Sequence, residues 1–329
     1  MTAAPLAMTI GEPGGIGPEI TAAAWAALRE TGPVFFLIGD EALAAQFGPV
    51  QSIIASGDAR GAFADALPVI DIGRLSEATP GRADTSSARL VIRSIEQAVA
   101  AALDGQAAGV VTNPIQKSAL AAAGFAHPGH TEFIGALTDS AAMPSGLARG
   151  PVMMLVGPDL RTAPVTIHQS VRRAIDALTT DRIVHVGAVV ASDLAARFKI
   201  DAPRLAISGL NPHAGEGGLM GSEDMNIIAP AVDILRQRNI DAIGPLPADT
   251  MFHAAARNMY DAAICMLHDQ ALIPAKTLAF DEAVNVTLGL PIIRTSPDHG
   301  TALDIAGKGV ASPKSLIAAI RLAAELAAK

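Results

Sequence analysis

The stretch Leu6-Ala7-Met8-Thr9-Ile10-Gly11-Glu12-Pro13-Gly14-Gly15-Ile16-Gly17-Pro18-Glu19 runs on through an alanine-rich segment with Trp25 and Leu28 to Arg29. Its first five residues form a short run of strand length. Gly11 to Gly17 form a glycine-rich turn, and Pro18 suits the first turn of a helix. The order is strand, tight turn, helix, and it recurs along the chain. Short apolar runs lie at 34–38, 109–111, 152–156, 205–208, 242–245 and 262–266. Longer helix-like segments lie at 18–29, 86–103, 181–198, 224–238 and 315–328. The helix from Ser86 is the best specified, with Asp84, Thr85 or Ser86 available as its cap. Leu90, Ile92, Ile95, Val99 and Leu103 follow at helical spacing. Residues 76–87 are polar and read as a surface loop. Such alternation predicts an α/β protein with a largely parallel sheet.

A chain of 329 residues has room for two domains at about 100–200 residues each. Half of its residues are hydrophobic and 17% are charged, enough for a large core and unlike a disordered chain. Aromatics are 3%, which argues against a surface of stacked aromatics for single-stranded nucleic acid. Lys plus Arg number 24 against 32 Asp plus Glu, so no overall basic footprint exists. The single cysteine, Cys265, excludes an internal disulfide framework and lies in an apolar run, where an inert buried thiol is expected. No basic, apolar leader opens the chain, and no apolar run approaches about 18 residues. A soluble cytoplasmic protein without nucleic-acid or membrane partners is expected. Neither G-x-S-x-G nor a Walker A loop is present, so serine-hydrolase and P-loop chemistry have no support.

Ligands of open α/β sheets collect beyond the carboxyl ends of strands. His213 and His268 each follow a strand-like run, and His168 ends the run Val165-Thr166-Ile167-His168. Three neutral imidazoles around an open position make a catalytic zinc arrangement. Singly, each could equally be a loop residue; their shared placement favours the metal. The turn at 11–19 lacks the G-x-G-x-x-G fingerprint, but its glycines let backbone N–H groups approach an anion. Lys117, Lys276, Arg294 and Lys308 sit in connections beside Thr112-Asn113-Pro114, Asn285-Val286-Thr287 and Ser296-Pro297-Asp298-His299-Gly300-Thr301. Cations among such polar groups suit a phosphate or carboxylate. His130-Thr131-Glu132 could equally open a helix with Thr131 as its cap. His127, His185 and His253 have no such company and are expected to be structural.

These motifs together resemble the 4-hydroxythreonine-4-phosphate dehydrogenase family of vitamin B6 synthesis. The resemblance runs nearly end to end. It includes residues 11–19 and 112–117, Gly129-His130-Thr131-Glu132-Phe133, residues 210–218, Pro247-Ala248-Asp249-Thr250, His268-Asp269-Gln270 and residues 285–309. It implies the isocitrate/isopropylmalate dehydrogenase-like fold, with two α/β/α domains flanking a cleft. One domain would comprise 1–130 plus 285–329, on the NAD side. The other would comprise 131–284, with the metal ligands and the dimer interface. The implied reaction is NAD-dependent oxidation of 4-phosphooxy-L-threonine, followed by decarboxylation to 3-amino-2-oxopropyl phosphate. NADP is the alternative cofactor. A divalent metal is implied, zinc first and magnesium or cobalt next.

The resemblance assigns the metal to His168, His213 and His268, with His268 crossing from the partner of a homodimer. It assigns the substrate to His130, Thr131, Lys276, Asn285 and Arg294. Asp249, Asp269 and His130 are the candidates for proton transfer, and Gly300, Thr301 and Asp304 for the cofactor. Some positions depart from the family pattern. Gly14 stands where the family usually has Ala, and Asn113 and Gln116 replace Ala and Asn. Leu267 replaces an aromatic, and Ala271 and Ala283 replace glycines. The nearest alternative keeps the chemistry and takes D-threonate or D-erythronate 4-phosphate, or a related diol. A phosphate acyltransferase-like enzyme is a more distant one.

Overall fold

A computed structural model describes residues 4–73, 79–83, 85–127 and 129–328. They divide into two units, Met1–Ala142 with Leu290–Lys329, and Met143–Gly289. In the first unit β1 (Leu6–Thr9), β2 (Phe35–Gly39), β3 (Val50–Ser52), β4 (Leu67–Asp71), β5 (Val110–Thr112) and the late strand β12 (Arg294–Pro297) lie in the order β3-β4-β2-β1-β5-β12. Their pairings are parallel. Every residue of β1, β2, β5 and β12 is buried, as in a parallel sheet covered on both faces. Helix Ala88–Leu103 packs on β1 and β2, and helix Lys314–Ala327 on β12.

The second unit holds β6 (Val152–Val156), β7 (Arg161–Pro164), β8 (Arg204–Ser208), β9 (Asp241–Leu246), β10 (Ala262–Cys265) and β11 (Val284–Leu288). Their order is β11-β6-β7-β10-β8-β9. β6 is antiparallel to both of its neighbours, whereas β7, β10, β8 and β9 run parallel. This sheet is therefore mixed.

The α/β class read from the alternation is the class observed. Strands β3, β4, β7, β11 and β12 are additional to the runs picked out in the sequence. β7 and β12 carry Arg, Thr, Ser and Pro, so they lack the apolar signature of a buried strand. Helix His268–Ala279 was also silent, because Pro274 lies inside it and reads as a helix breaker. The helix expected from Ser86 begins at Ala88, after a 3₁₀ turn Thr85–Ser87, and Ser87 at its start makes no side-chain cap. Asp84 and residues 74–78 lie outside the described residues. The segment expected as one helix at 224–238 opens with a π-helical turn, Asp224–Ile228, before helix Ala229–Gln237.

The units change at 142/143 and 289/290, rather than at the expected 130/131 and 284/285. Helix His130–Leu137 packs on helix Ala88–Leu103, which ties it to the first unit. β11 pairs along its whole length with β6, which ties it to the second. No helix among the described residues is long and apolar enough to cross a membrane.

Candidate active site

Three neighbouring parallel strands of the second unit are β7, β10 and β8. His168 follows β7, His268 follows β10 and His213 follows β8, so three imidazoles leave the carboxyl ends of adjacent strands. Asp249 follows the next strand, β9, in a short 3₁₀ turn. His168 has φ 49° and His213 has φ 52°, a left-handed conformation rare for residues with a side chain. Strained backbone of this kind persists only where its surroundings hold it, and it gathers at functional sites.

The rings of His168 and His268 lie 6.0 Å apart, centroid to centroid. Both line a cavity of about 380 Å³ together with Asp269. His268 Nδ1 and the Asp269 carboxylate are 2.8 Å apart. With Nδ1 as the donor, this contact orients the ring and leaves Nε2 as a free ligand, the usual arrangement behind a metal-bound histidine. The donor chemistry of His168 and His268 suits a divalent metal such as zinc. Within one chain, no three or more His, Cys, Asp or Glu side chains among the described residues come together as a metal site. Asp269 and Asp249 also line an adjoining, largely apolar cavity of about 520 Å³ with Phe252 and Ile273. Lys276 lies on helix His268–Ala279, half-buried. Asn285 lies on β11, and its Oδ1 is buried without a hydrogen-bond partner.

The first unit gathers a second cluster. His130 is the first residue of helix His130–Leu137, so Gly129, not Thr131, occupies the N-cap position. Arg294, on β12, is 3% exposed, and its Nη2 donates to Thr112 Oγ1 at 2.6 Å. Burial lowers its pKa to about 10, while the nearby Glu132 carboxylate opposes the shift. His130 is held well below the ordinary imidazole range, first by burial, then by Arg294 and Lys117. It is therefore neutral, and its buried Nε2 has no hydrogen-bond partner. A buried guanidinium, a neighbouring lysine and an open imidazole nitrogen are groups of the kind that receive an anion. Thr112 and Glu132 belong to this cluster and were not assigned roles from the sequence; Thr112 followed the apolar run 109–111 and Glu132 followed His130-Thr131.

The glycine turn and the 299–309 loop also meet in the first unit. Ile16 N–H donates to Thr301 O at 3.0 Å, and Gly307 N–H donates to Glu19 Oε2 at 2.9 Å. Thr301 Oγ1 donates to Gln116 Oε1 at 3.0 Å. Gly300 and Asp304 are exposed on the same loop. Gly11, with φ 71°, is required where the turn crosses β5: a Cβ there would come within 2.6 Å of Asn113 Cβ. Asn113 is fully buried and donates to Thr9 O at 2.9 Å and to Thr21 Oγ1 at 2.8 Å, tying β5 to β1 and to helix Gly17–Leu28. Asn113 and Gln116 thus tie the end of β5 to β1, to helix Gly17–Leu28 and to the 299–309 loop.

Histidines outside the site have structural surroundings. His127 packs with Phe125 and Phe133, and His253 accepts the Ala256 N–H at a helix start. Cys265 is wholly buried, and burial pushes its thiol up to about 12, as expected of an inert residue.

The sequence profile of the family described as "Pyridoxal phosphate biosynthetic protein PdxA" matches residues 33–323. A Bradyrhizobium diazoefficiens protein named 4-hydroxythreonine-4-phosphate dehydrogenase is 55% identical over 341 residues, covering 99% of this chain and 98% of its own. A Caulobacter vibrioides protein of the same name is 54% identical over 332 residues, covering 100% and 99%. The crystal structure of 4-hydroxythreonine-4-phosphate dehydrogenase from Klebsiella pneumoniae superposes with a TM-score of 0.86 at 36% identity, covering 100% and 99%.

Proposed function

The chain belongs to the PdxA family of pyridoxal phosphate biosynthetic proteins, and from that premise we propose that it is an NAD- and metal-dependent dehydrogenase of 4-phosphooxy-L-threonine. A nicotinamide cofactor would accept the hydride from the substrate's secondary alcohol, while a protein base takes the hydroxyl proton. The resulting 3-keto acid loses CO2, and protonation of the enol gives 3-amino-2-oxopropyl phosphate. Carrying this proposal is the placement of His168, His268 and His213 at the carboxyl ends of three adjacent parallel strands. These three residues would hold the divalent metal, which supplies Lewis acidity towards the substrate oxygen.

The chain's own residues supply the rest. Arg294 and neutral His130 bind and orient an anionic end of the substrate, with Lys117 adding positive potential nearby. Lys276 and Asn285 serve its other polar groups, and Thr131 lies beside His130. Asp249 and Asp269 line one cavity and are placed to take or return a proton there. Gly300, Thr301 and Asp304 serve the nicotinamide cofactor, on a loop laced to the glycine turn.

The proposal includes a homodimer in which His268 of one chain completes the site of the other, although within one chain the His268 ring also lies 6.0 Å from that of His168. In its favour, helix His268–Ala279 and the residue after it expose Ile273, Leu278 and Phe280, at 63%, 48% and 76%. Apolar side chains exposed along one helix suit a protein interface. The deciding experiment follows NADH formation with 4-phosphooxy-L-threonine, with and without a chelator, beside D-threonate and D-erythronate 4-phosphates. Chelator-sensitive turnover of the amino acid is expected. Turnover of the sugar-acid phosphates alone would overturn the substrate, and full activity after complete metal removal would overturn the metal.

A further inference from the structure

His213 opens five consecutive residues with left-handed backbone: His213 (φ 52°, ψ 27°), Ala214 (52°, 43°), Gly215 (78°, −7°), Glu216 (44°, 55°) and Gly217 (65°, 22°). L-residues avoid a left-handed helical turn, because Cβ crowds the following carbonyl oxygen. Three of these five residues carry a side chain, so the surroundings must hold the turn in place.

Asp224 lies against this turn. It is fully buried and is the first residue of the π-helical turn Asp224–Ile228. Its Oδ1 accepts the Leu210 N–H at 2.9 Å. Its Oδ2 accepts the Asn211 N–H at 3.2 Å and Asn211 Nδ2 at 2.9 Å. Asn211 Nδ2 also donates to Glu223 Oε2 at 2.8 Å. The carboxylate fills the space beside two glycines: a Cβ on Gly209 would come within 2.7 Å of Oδ1, and one on Gly215 within 3.2 Å of Oδ2. One buried carboxylate thus grips the chain on the strand side of His213 and packs against Gly215 beyond it. A π-helical turn in an otherwise α-helical segment is also common at functional sites.

We propose that Asp224 is a positioning residue, which holds the left-handed turn and so presents the His213 imidazole to the divalent metal of the proposed site. It acts through the backbone of residues 209–215 and rests on the assignment of His213 as a metal ligand.

Cobalt(II) titration of the full-length protein, read by visible absorption and bound stoichiometry, tests it. Asp224→Asn and His213→Ala are compared with wild type, and unfolding midpoints are measured in parallel. The amide of Asp224→Asn keeps the shape but offers one acceptor oxygen where the carboxylate offers two. Asp224→Asn is expected to fold, to bind cobalt about 10–100-fold more weakly, and to change the visible spectrum. A lower unfolding midpoint with wild-type cobalt affinity and spectrum, while His213→Ala weakens binding, would mean that Asp224 is merely structural and would overturn the inference alone. Unchanged cobalt binding in His213→Ala would overturn the ligand assignment and the inference with it. Should Asp224→Asn fail to fold, Asn211→Ala removes the two side-chain bonds to Asp224 and Glu223 at a half-buried position. A several-fold weaker cobalt affinity then supports the inference, and wild-type affinity overturns it.

Discussion

His130 shows how burial and neighbouring charge set the state of one side chain. Its folded pKa lies below the ordinary 6.5, from burial, Arg294 and Lys117 in that order. The unfolded chain therefore binds the extra proton. The stabilisation is fully present above the unfolded pKa and is lost as pH falls towards the folded one. Between about pH 7 and pH 5, the unfolding midpoint of the wild type should drop more steeply than that of His130→Gln. Parallel profiles would show that His130 is not held neutral. Arg294 offers a second check. Lysine keeps the charge but loses the planar fork and the Nη2 bond to Thr112 Oγ1. Arg294→Lys should raise KM for the phosphorylated substrate on the order of 10–100-fold, with a smaller change in kcat. An unchanged KM would remove Arg294 from the binding site.

At the scale of elements, the turn after β1 depends on what packs over it. At Gly14 a Cβ would come within 2.0 Å of Arg82 O. Gly81 N–H donates to Gly14 O at 2.9 Å, so residues 81 and 82 close directly over the turn. Gly14→Ala must push that segment away, at a cost of about 1–3 kcal/mol, seen as a fall of several degrees in the unfolding midpoint. A midpoint equal to that of the wild type would show that residues 79–83 move freely from the turn. The helices Gly17–Leu28, Ala88–Leu103, Thr180–Ala196 and Lys314–Ala327 were legible to within about two residues, because long periodic segments carry their own signal. β12 was not legible as a strand. All four of its residues, Arg294 to Pro297, are buried, although none is apolar enough to announce it.

At the scale of the whole molecule, the proposed metal set is incomplete within the described residues of one chain, and the helix that His268 opens exposes apolar residues at Ile273 and, just past its end, Phe280. If a second copy covers them, Ile273→Asp combined with Phe280→Asp should give a monomer by sedimentation and lose turnover with it. A dimer of wild-type activity would move the interface elsewhere. A monomer of full activity would abolish the shared site.

The chain's local pattern was enough for the α/β class, for most long helices and for His213 and His268 after their strands, whereas the strand before His168 is β7, at 161–164. Each of these depends on residues within one turn or one strand of one another, and such order is written along the chain. Tertiary structure alone decided that β7, β10 and β8 are neighbours, which brings His168, His268 and His213 to adjacent strand ends. It also decided that Arg294 is buried beside Thr112 and His130, and that Asp224 braces the turn carrying His213. It moved the unit limits to 142/143 and 289/290, because β11 pairs with β6 and helix His130–Leu137 packs on helix Ala88–Leu103. Strand order, burial of a charge and a braced left-handed turn all arise from contacts between distant segments, and no periodicity within a single segment encodes them.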